Sequence, residues 1–331
     1  MASTFLRPTV IARLAVDLLL RELVLARTVW SDAIAPAEFE GAFGDTVTLR
    51  IPARRAARTR VLRAGSTITN DDSHEFGVAV TLDTDVYNGA PITDEDLTLS
   101  IQDFGKQILM PQIRAVAEGV EDQVAAQIVG ATYKASHTID ADTSEFNPSS
   151  VRSWYRIANR ARKILNESHV PRASRTLVVG ASIEEEILND DRFIRNDSIG
   201  ASAESALREA TIGRIAGFDV VPSMSIPDTD AYAYHRTAFV LAARAPRVPQ
   251  GATMAVQRSL GEAERLGGSS GLQGINVRWL MDYDYENTTD RSLVNTWVGT
   301  AQVDDPDTPS SSASTKTLYR AVRISGGGTS S

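Results

Sequence analysis

Along this chain the spacing of apolar residues switches between three or four and two, so helices and strands are expected to alternate. Pro8 to about Arg27 reads as an amphipathic helix. Val10, Leu14, Asp17/Leu18 and Arg21 recur at helical spacing, and Pro8 suits a first turn. Trp30 to Gly44 has no period. Thr46 to Ile51 alternates as a strand that Pro52 ends, and an arginine-rich polar excursion then runs to Ser73. Strands are predicted at Glu75 to Asp83 and at Asp96 to Ile101, with a turn holding Asn88, Gly89 and Pro91 between them. On this reading Thr46 to Ile101 is a long β-hairpin arm with little core of its own. Such a two-stranded arm is marginal in water unless it packs on something.

From about Asp103 to Gly130 the period changes. Leu109, Ile113, Val116, Val120, Val124 and Ile128 recur at helical intervals, with Glu118, Glu121 and Asp122 among them. A helix of that length spans roughly 40 Å, and Pro111 must either kink it or mark its start. Asn147–Pro148 resembles a cap and first turn; the helix it opens is predicted to reach about Asn166 and to bury Trp154, Ile157, Ala161, Ile164 and Leu165. Ser174 to Gly180 is a predicted strand, and Ser182 with Glu185 reads as a capping box opening a short helix. Leu207 to Pro227 reads as a short helix, a glycine turn, a strand and a proline stop. Gly213 and Gly217 supply backbone angles that other residues resist, Phe218 to Val221 forms the strand, and Pro222 weakens or ends it.

Ala238 to Ala243 is a further apolar strand, closed by Pro246 and Pro249, and Leu272 to Trp279 is another, followed by an acidic and aromatic run to Glu286. Asp304 to Thr315 is too polar and proline-rich to fold alone. Lys316 to Ile324 is a last strand, expected at the edge of a sheet near the long helix, with a mobile tail after it.

Composition narrows the class. The 331 residues are 42% hydrophobic and 23% charged, ordinary for a folded protein and enough for two compact modules or an elongated body with arms. No apolar run reaches the ~18 residues a membrane span needs. Asp17 and Arg21 interrupt any signal-peptide core, so the first helix is expected in a cytoplasmic product. The absence of cysteine excludes disulfides, thiolate metal sites and cysteine nucleophiles. A net charge of −8 does not suit a nucleic-acid binder as a whole. Of 34 basic residues only Lys106, Lys134, Lys163 and Lys316 are lysine, a bias that a GC-rich coding sequence explains.

Candidate chemistry is thin. Gly267 to Gly271 spells the G-x-S-x-G nucleophile elbow, but a helical-looking stretch precedes it and a strand follows, the reverse of what an elbow needs. His74, His137, His169 and His235 lack metal-helix spacing and read as surface or loop residues. Glu184, Glu185 and Glu186 sit where acids offset a helix dipole. Asp282, Asp284 and Glu286 alternate with Tyr283 and Tyr285; they read as a solvated strand face rather than a cation site, since the glycine turn of a calcium loop is missing. No phosphate-cradling loop or dinucleotide fingerprint is present, and neither a cofactor nor a metal is expected.

Two segments in order carry a specific likeness. Gly213 to Ser223 reads G-x-I-x-G-F-x-V-V-x-S and Ala238 to Arg244 reads A-F-x-x-A-x-R, which resembles the axial-domain core of tailed-bacteriophage major capsid proteins. The resemblance implies an α+β chain of the Hong Kong 97-type capsid fold, in a short form without a fused scaffolding segment. It implies an amino-terminal arm and helix (1–45), an extended β-loop (46–102) and a peripheral domain with a spine helix (103–180). An axial domain with return strands (181–300) and a carboxyl-terminal linker, strand and tail (301–331) would follow. The implied role is a shell subunit and not an enzyme, assembled in the host cytoplasm and located in the virion. It would form pentamers and hexamers around double-stranded DNA enclosed without sequence recognition. Because the arm begins almost at Met1, a separate scaffolding protein is expected; a portal would replace one pentamer, and a decoration protein is a further candidate partner. Covalent cross-linking through a loop lysine is not open, since the first lysine is Lys106. Two alternatives stand beside this reading: an encapsulin-like nanocompartment enclosing a cargo protein, and an α/β hydrolase.

Arg54, Arg55, Arg58, Arg60 and Arg63 cluster on the predicted arm. The pattern suits a solvated loop face and an intersubunit contact equally. On the second reading their planar guanidinium groups would pair with Asp94, Glu95 and Asp96 of a neighbouring subunit. DNA contact is the third option, least favoured because the family's loop lies on the outer shell. Gly213, Gly217 and Phe218 are the predicted structural turn.

Overall fold

A computed structural model describes residues 23–31, 33–34, 45–51, 57–61, 68, 76–93, 105–143, 146, 153–189, 213–249, 254–259, 276–284, 289–306 and 316–326. Thr46–Ile51 (β1) and Phe76–Thr81 (β2) pair antiparallel, with Thr46 opposite Thr81 and Ile51 opposite Phe76. The predicted turn at Asn88 to Pro91 is a correction: Thr84–Thr93 (β3) runs as one strand through all three turn-type residues. It lies at the end of its sheet, and an edge strand tolerates a proline without an N–H. The other predicted strand, Asp96 to Ile101, lies outside the described residues.

Helical spacing produces Met110–Gly130 (α1), entered through a π-helical turn at Gly105–Leu109. Pro111 stands in its first turn, where its missing N–H costs nothing, so it starts the helix rather than kinking it. All six residues of the predicted apolar stripe are buried. No described helix is long and apolar enough to cross a membrane. Of the predicted first helix, residues 8–22 lie outside the description, and its end is a 3₁₀ turn at Leu25–Arg27.

After the short strand Thr138–Asp140 (β4), Trp154–Glu167 (α2) buries the five residues expected of it. Ser153 before it is extended, so the helix starts later than the cap predicted at Asn147. Next come Arg175–Val179 (β5) and Ala181–Asn189 (α3). Ser182 lies inside α3 and is not its cap; the Glu184 N–H donates to the Gly180 carbonyl at 3.0 Å, which makes Gly180 the capping position. Arg214–Ile215 (β6) and Phe218–Pro222 (β7) form a tight hairpin, followed by Asp230–His235 (β8) and Phe239–Arg244 (β9). The alternation in β8 sorts by size: Tyr232 and Tyr234 join the core around α1, and Ala231 and Ala233 join the core under α2.

The remaining strands are Met254–Ser259 (β10), Asn276–Asp284 (β11), Thr289–Gln302 (β12), Asp305–Pro306 (β13), Lys316–Thr317 (β14) and Ala321–Ser325 (β15). One sheet runs β10–β11–β12–β3, with β9 pairing the last six residues of the long β12. The other runs β4–β15–β8–β5–β7–β6. Helix α1 packs against both through one continuous core that includes Tyr232, Tyr234, Leu241, Trp279 and Val294. The predicted last strand is two strands broken at Leu318 to Arg320, and β15 is not an edge. It is inserted between β4, parallel, and β8, antiparallel, because Ala321 faces the core of α1 while Val322 and Ile324 face that of α2. Part of the predicted linker is ordered too, since β13 pairs with β14.

Candidate functional site

The arm does not stand clear of its own body. Ile51, Phe76 and Val80 pack with Ile34, Val303 and the outer-face residues Val240 and Ala242 of β9, so the base of the hairpin has a small core within its own chain. The little core expected of the arm is thus shared with β9 and the chain on either side of it. Hydrogen bonding closes the base, the Leu82 N–H donating to the Asp45 carbonyl at 2.9 Å. Gly299 of β12 lets the chains cross there: a Cβ would lie 2.8 Å from the Thr81 carbonyl carbon and closer still to its oxygen. Beyond the base, residues 57–61 are all exposed, and the large apolar side chains Val61 and Ile68 are 75% and 72% accessible. Arg58 and Arg60 lie in this stretch; Arg54, Arg55, Arg63, Asp94, Glu95 and Asp96 lie outside the described residues.

At the predicted glycine turn Arg214–Ile215 is itself a short strand. Ile215 pairs with Phe218, leaving Ala216 and Gly217 as a two-residue loop at φ 50° and 89°, the positive angles of a type I′ hairpin. Gly213 enters at φ 68°, and Phe218 is fully buried. The sequence did not mark Ala216 as the other residue to bear a positive φ.

Buried polar groups tie distant segments to α1, and helical periodicity alone does not reveal them. Glu121 accepts from the backbone N–H groups of Leu25 and Ala26 at 2.7 and 3.2 Å, fastening the amino-terminal segment to the helix. Burial raises its carboxyl pKa, and those N–H donors oppose the shift. Gln112 donates to the Ser292 carbonyl at 3.0 Å and accepts from the Ser292 hydroxyl at 2.7 Å, while that hydroxyl accepts from the Trp279 indole at 3.0 Å. Glu186, expected only to offset a dipole, accepts from the Trp154 indole at 2.8 Å and joins α3 to α2.

Three of the four histidines meet in one cavity of about 790 Å³, which Lys134, Ser168 and Arg320 also line. Against the surface or loop positions expected of them, His137 and His235 stand at turns but are buried rather than at the surface, and only the fold brings them near His169. The Thr237 N–H donates to Nδ1 of His235 at 3.2 Å, so a neutral imidazole carries its proton on Nε2. Burial lowers the pKa of both buried histidines; Lys134 adds to the effect at His137, and Arg320 and Arg175 at His235. His137 Nε2 lies 3.0 Å from the Ser168 hydroxyl, a nucleophile–base distance. Its Nδ1 faces the Ser136 hydroxyl at 3.3 Å rather than an orienting carboxylate. Asp305, the cavity's nearest acid to Arg320, is engaged by that guanidinium at 2.5 and 2.7 Å.

Asp282 and Asp284 lie within β11, which continues past Trp279 as far as Asp284. Among the described residues no group of three or more histidine or acidic side chains stands close enough to hold a metal ion. The G-x-S-x-G segment, His74, Tyr285 and Glu286 lie outside them.

No protein-family model and no curated protein sequence matches the chain. Solved structures do. The mature capsid of bacteriophage PhiM1 superposes with a TM-score of 0.59 at 11% identity, covering 99% of this chain and 90% of that one. The capsid of Ralstonia phage GP4 gives 0.60 at 10% identity over 90% and 86%. The fold is that of phage capsid proteins. Mycobacterium phage Che8 gives 0.58 at 17% identity over 91% and 90%. The α+β architecture with one long helix is consistent with the Hong Kong 97-type form of the capsid fold. Similar structures that are capsids do not favour the nanocompartment alternative. Among the described strands all pairings but β4–β15 and β5–β7 are antiparallel, which does not suit the mainly parallel sheet of an α/β hydrolase.

Proposed function

We propose that this protein is a major capsid protein, self-assembling into pentamers and hexamers that form an icosahedral shell around double-stranded DNA. The observation that carries the reading is the capsid fold extending over nine-tenths or more of the chain. The exposed arm supports it, since Val61 and Ile68 present apolar surface that their own chain leaves open and that a neighbouring subunit would cover. Each subunit would make several modest contacts; weak ones allow correction, and many together hold a closed shell. A scaffolding protein and a portal are the expected partners, a decoration protein a further one, and the virion the expected location. Chemistry is not required of such a subunit.

The arm arginines are assigned to subunit contacts, pairing with Asp94, Glu95 and Asp96 of a neighbour. Negative-stain microscopy of the expressed protein, with and without its genomic neighbours, tests the shell. Closed particles or capsomers are expected, and a protein that stays monomeric under every combination overturns the reading. Replacing Arg54, Arg55 and Arg58 by alanine should leave a folded monomer that assembles poorly, and full assembly at moderate salt would refute the pairing.

A further inference from the structure

The solvent face of α2 is strongly basic on a protein whose net charge is −8. Arg156, Asn159, Arg160 and Lys163 are all exposed and follow one another at i, i+3, i+4 and i+7, so they form a single stripe opposite the buried face. Three cations are thereby strung over about 10 Å of helix. Lys163 has Glu167 at 3.6 Å, a pair more than half exposed on both sides. Arg156 and Arg160 have no carboxylate partner among the described residues. A cavity of about 820 Å³ lies against the stripe, and Arg162 and Asn166 also line it. The surroundings are positive as well: Arg175, beyond the end of α2, has its pKa lowered by burial and then by the charges of Arg162 and Arg172.

A cationic row with a carboxylate only at its Lys163 end takes a further anionic counterpart, and its shape selects which one. A solvated face usually mixes both signs, as i,i+4 pairing favours. Among the described residues the acid here, Glu167, is confined to one end. A duplex carries one negative charge per ~1.7 Å of axis, so about six charges face and flank a stripe of ~10 Å. Arginine forks suit phosphate oxygens, and the open cavity leaves room for a backbone to approach.

We propose that this face of α2 binds the phosphodiester backbone of DNA without reading its sequence. That the DNA is the packaged genome rests on the shell reading; the binding itself does not. Three contacts are few enough to hold a duplex weakly and release it, which reconciles a local DNA face with an acidic subunit.

The test is fluorescence anisotropy of a labelled 30-base-pair duplex with the purified soluble subunit, from 50 to 200 mM salt. Three phosphate contacts give a slope of log affinity against log salt near −2.7, a loss of about forty-fold over that range. The triple variant R156A/R160A/K163A, checked for native circular dichroism, should lose the binding and the slope, while R156K/R160K should keep both. Binding by the triple variant with the wild-type slope, or no binding by the wild type at 50 mM, overturns the proposal. So does a triple variant that binds DNA normally but no longer self-associates, which would make the face a protein contact. Microscopy of the same samples separates the two readings: DNA binding through this face without shells supports the site and removes the capsid role.

Discussion

Gly299 offers the sharpest perturbation, because its neighbour is backbone. The ideal Cβ of an alanine there would lie 2.8 Å from the Thr81 carbonyl carbon and 3.2 Å from the Leu82 nitrogen. The first distance is about 0.7 Å inside the optimal carbon–carbon separation. A flexible side chain could swing aside; a carbonyl held in the β1–β2 ladder and followed by the Leu82–Asp45 hydrogen bond cannot. Residue 299 cannot retreat either, since it is paired with Ala242 of β9. The misfit must therefore move the base of the arm, at a cost of about 1–3 kcal/mol for such overpacking. Gly89 in β3 is the control: an alanine Cβ there meets Leu293 at 3.5 Å and only side-chain or more distant atoms otherwise, an ordinary contact. Gly89→Ala should change stability by no more than about 1 kcal/mol and can raise it by restricting the unfolded chain. Guanidinium unfolding of the soluble subunit measures the difference, and hydrogen exchange should show faster amides in 76–81 for Gly299→Ala alone. Equal midpoints for the two variants, with unchanged exchange in the arm, would refute the crossing argument.

Gly217→Val forces a branched side chain to φ 89° and should cost about 1–3 kcal/mol, shifting much of the protein to inclusion bodies; a soluble variant of wild-type stability would mean the turn is not required. Truncation after Thr315 removes β15 from between β4 and β8 and should abolish folding or assembly, whereas truncation after Gly326 should be tolerated; normal shells from the shorter chain would show the strand to be dispensable. The lowered folded pKa values of His137 and His235 mean that the unfolded chain binds protons more tightly. Their contribution to stability should therefore be present above the unfolded value of 6.5 and fall away as pH drops toward the folded values. His235→Asn keeps an acceptor near the Thr237 N–H and should flatten part of that pH dependence; an unchanged profile counts against His235 as its source.

Local pattern was enough for much of this protein. The spacing of Leu109 to Ile128 placed the long helix and its buried stripe, because a helix with one apolar face has one way to bury it. Gly213 and Gly217 marked a turn, since positive φ is a property of few residues, but not that it closes a hairpin between β6 and β7. Tertiary structure decided what depends on pairing between remote strands. Turn chemistry at Asn88 to Pro91 yielded to β12, whose ladder holds β3 straight across it. Two-faced burial drew β15 in between β4 and β8, a place that its short apolar alternation could not distinguish from an edge. Glu121, the histidine cavity and the crossing at Gly299 are likewise invisible along the chain. Each depends on which distant backbone or side chain arrives beside a residue, and that is set by the packing of whole elements rather than by the spacing within one.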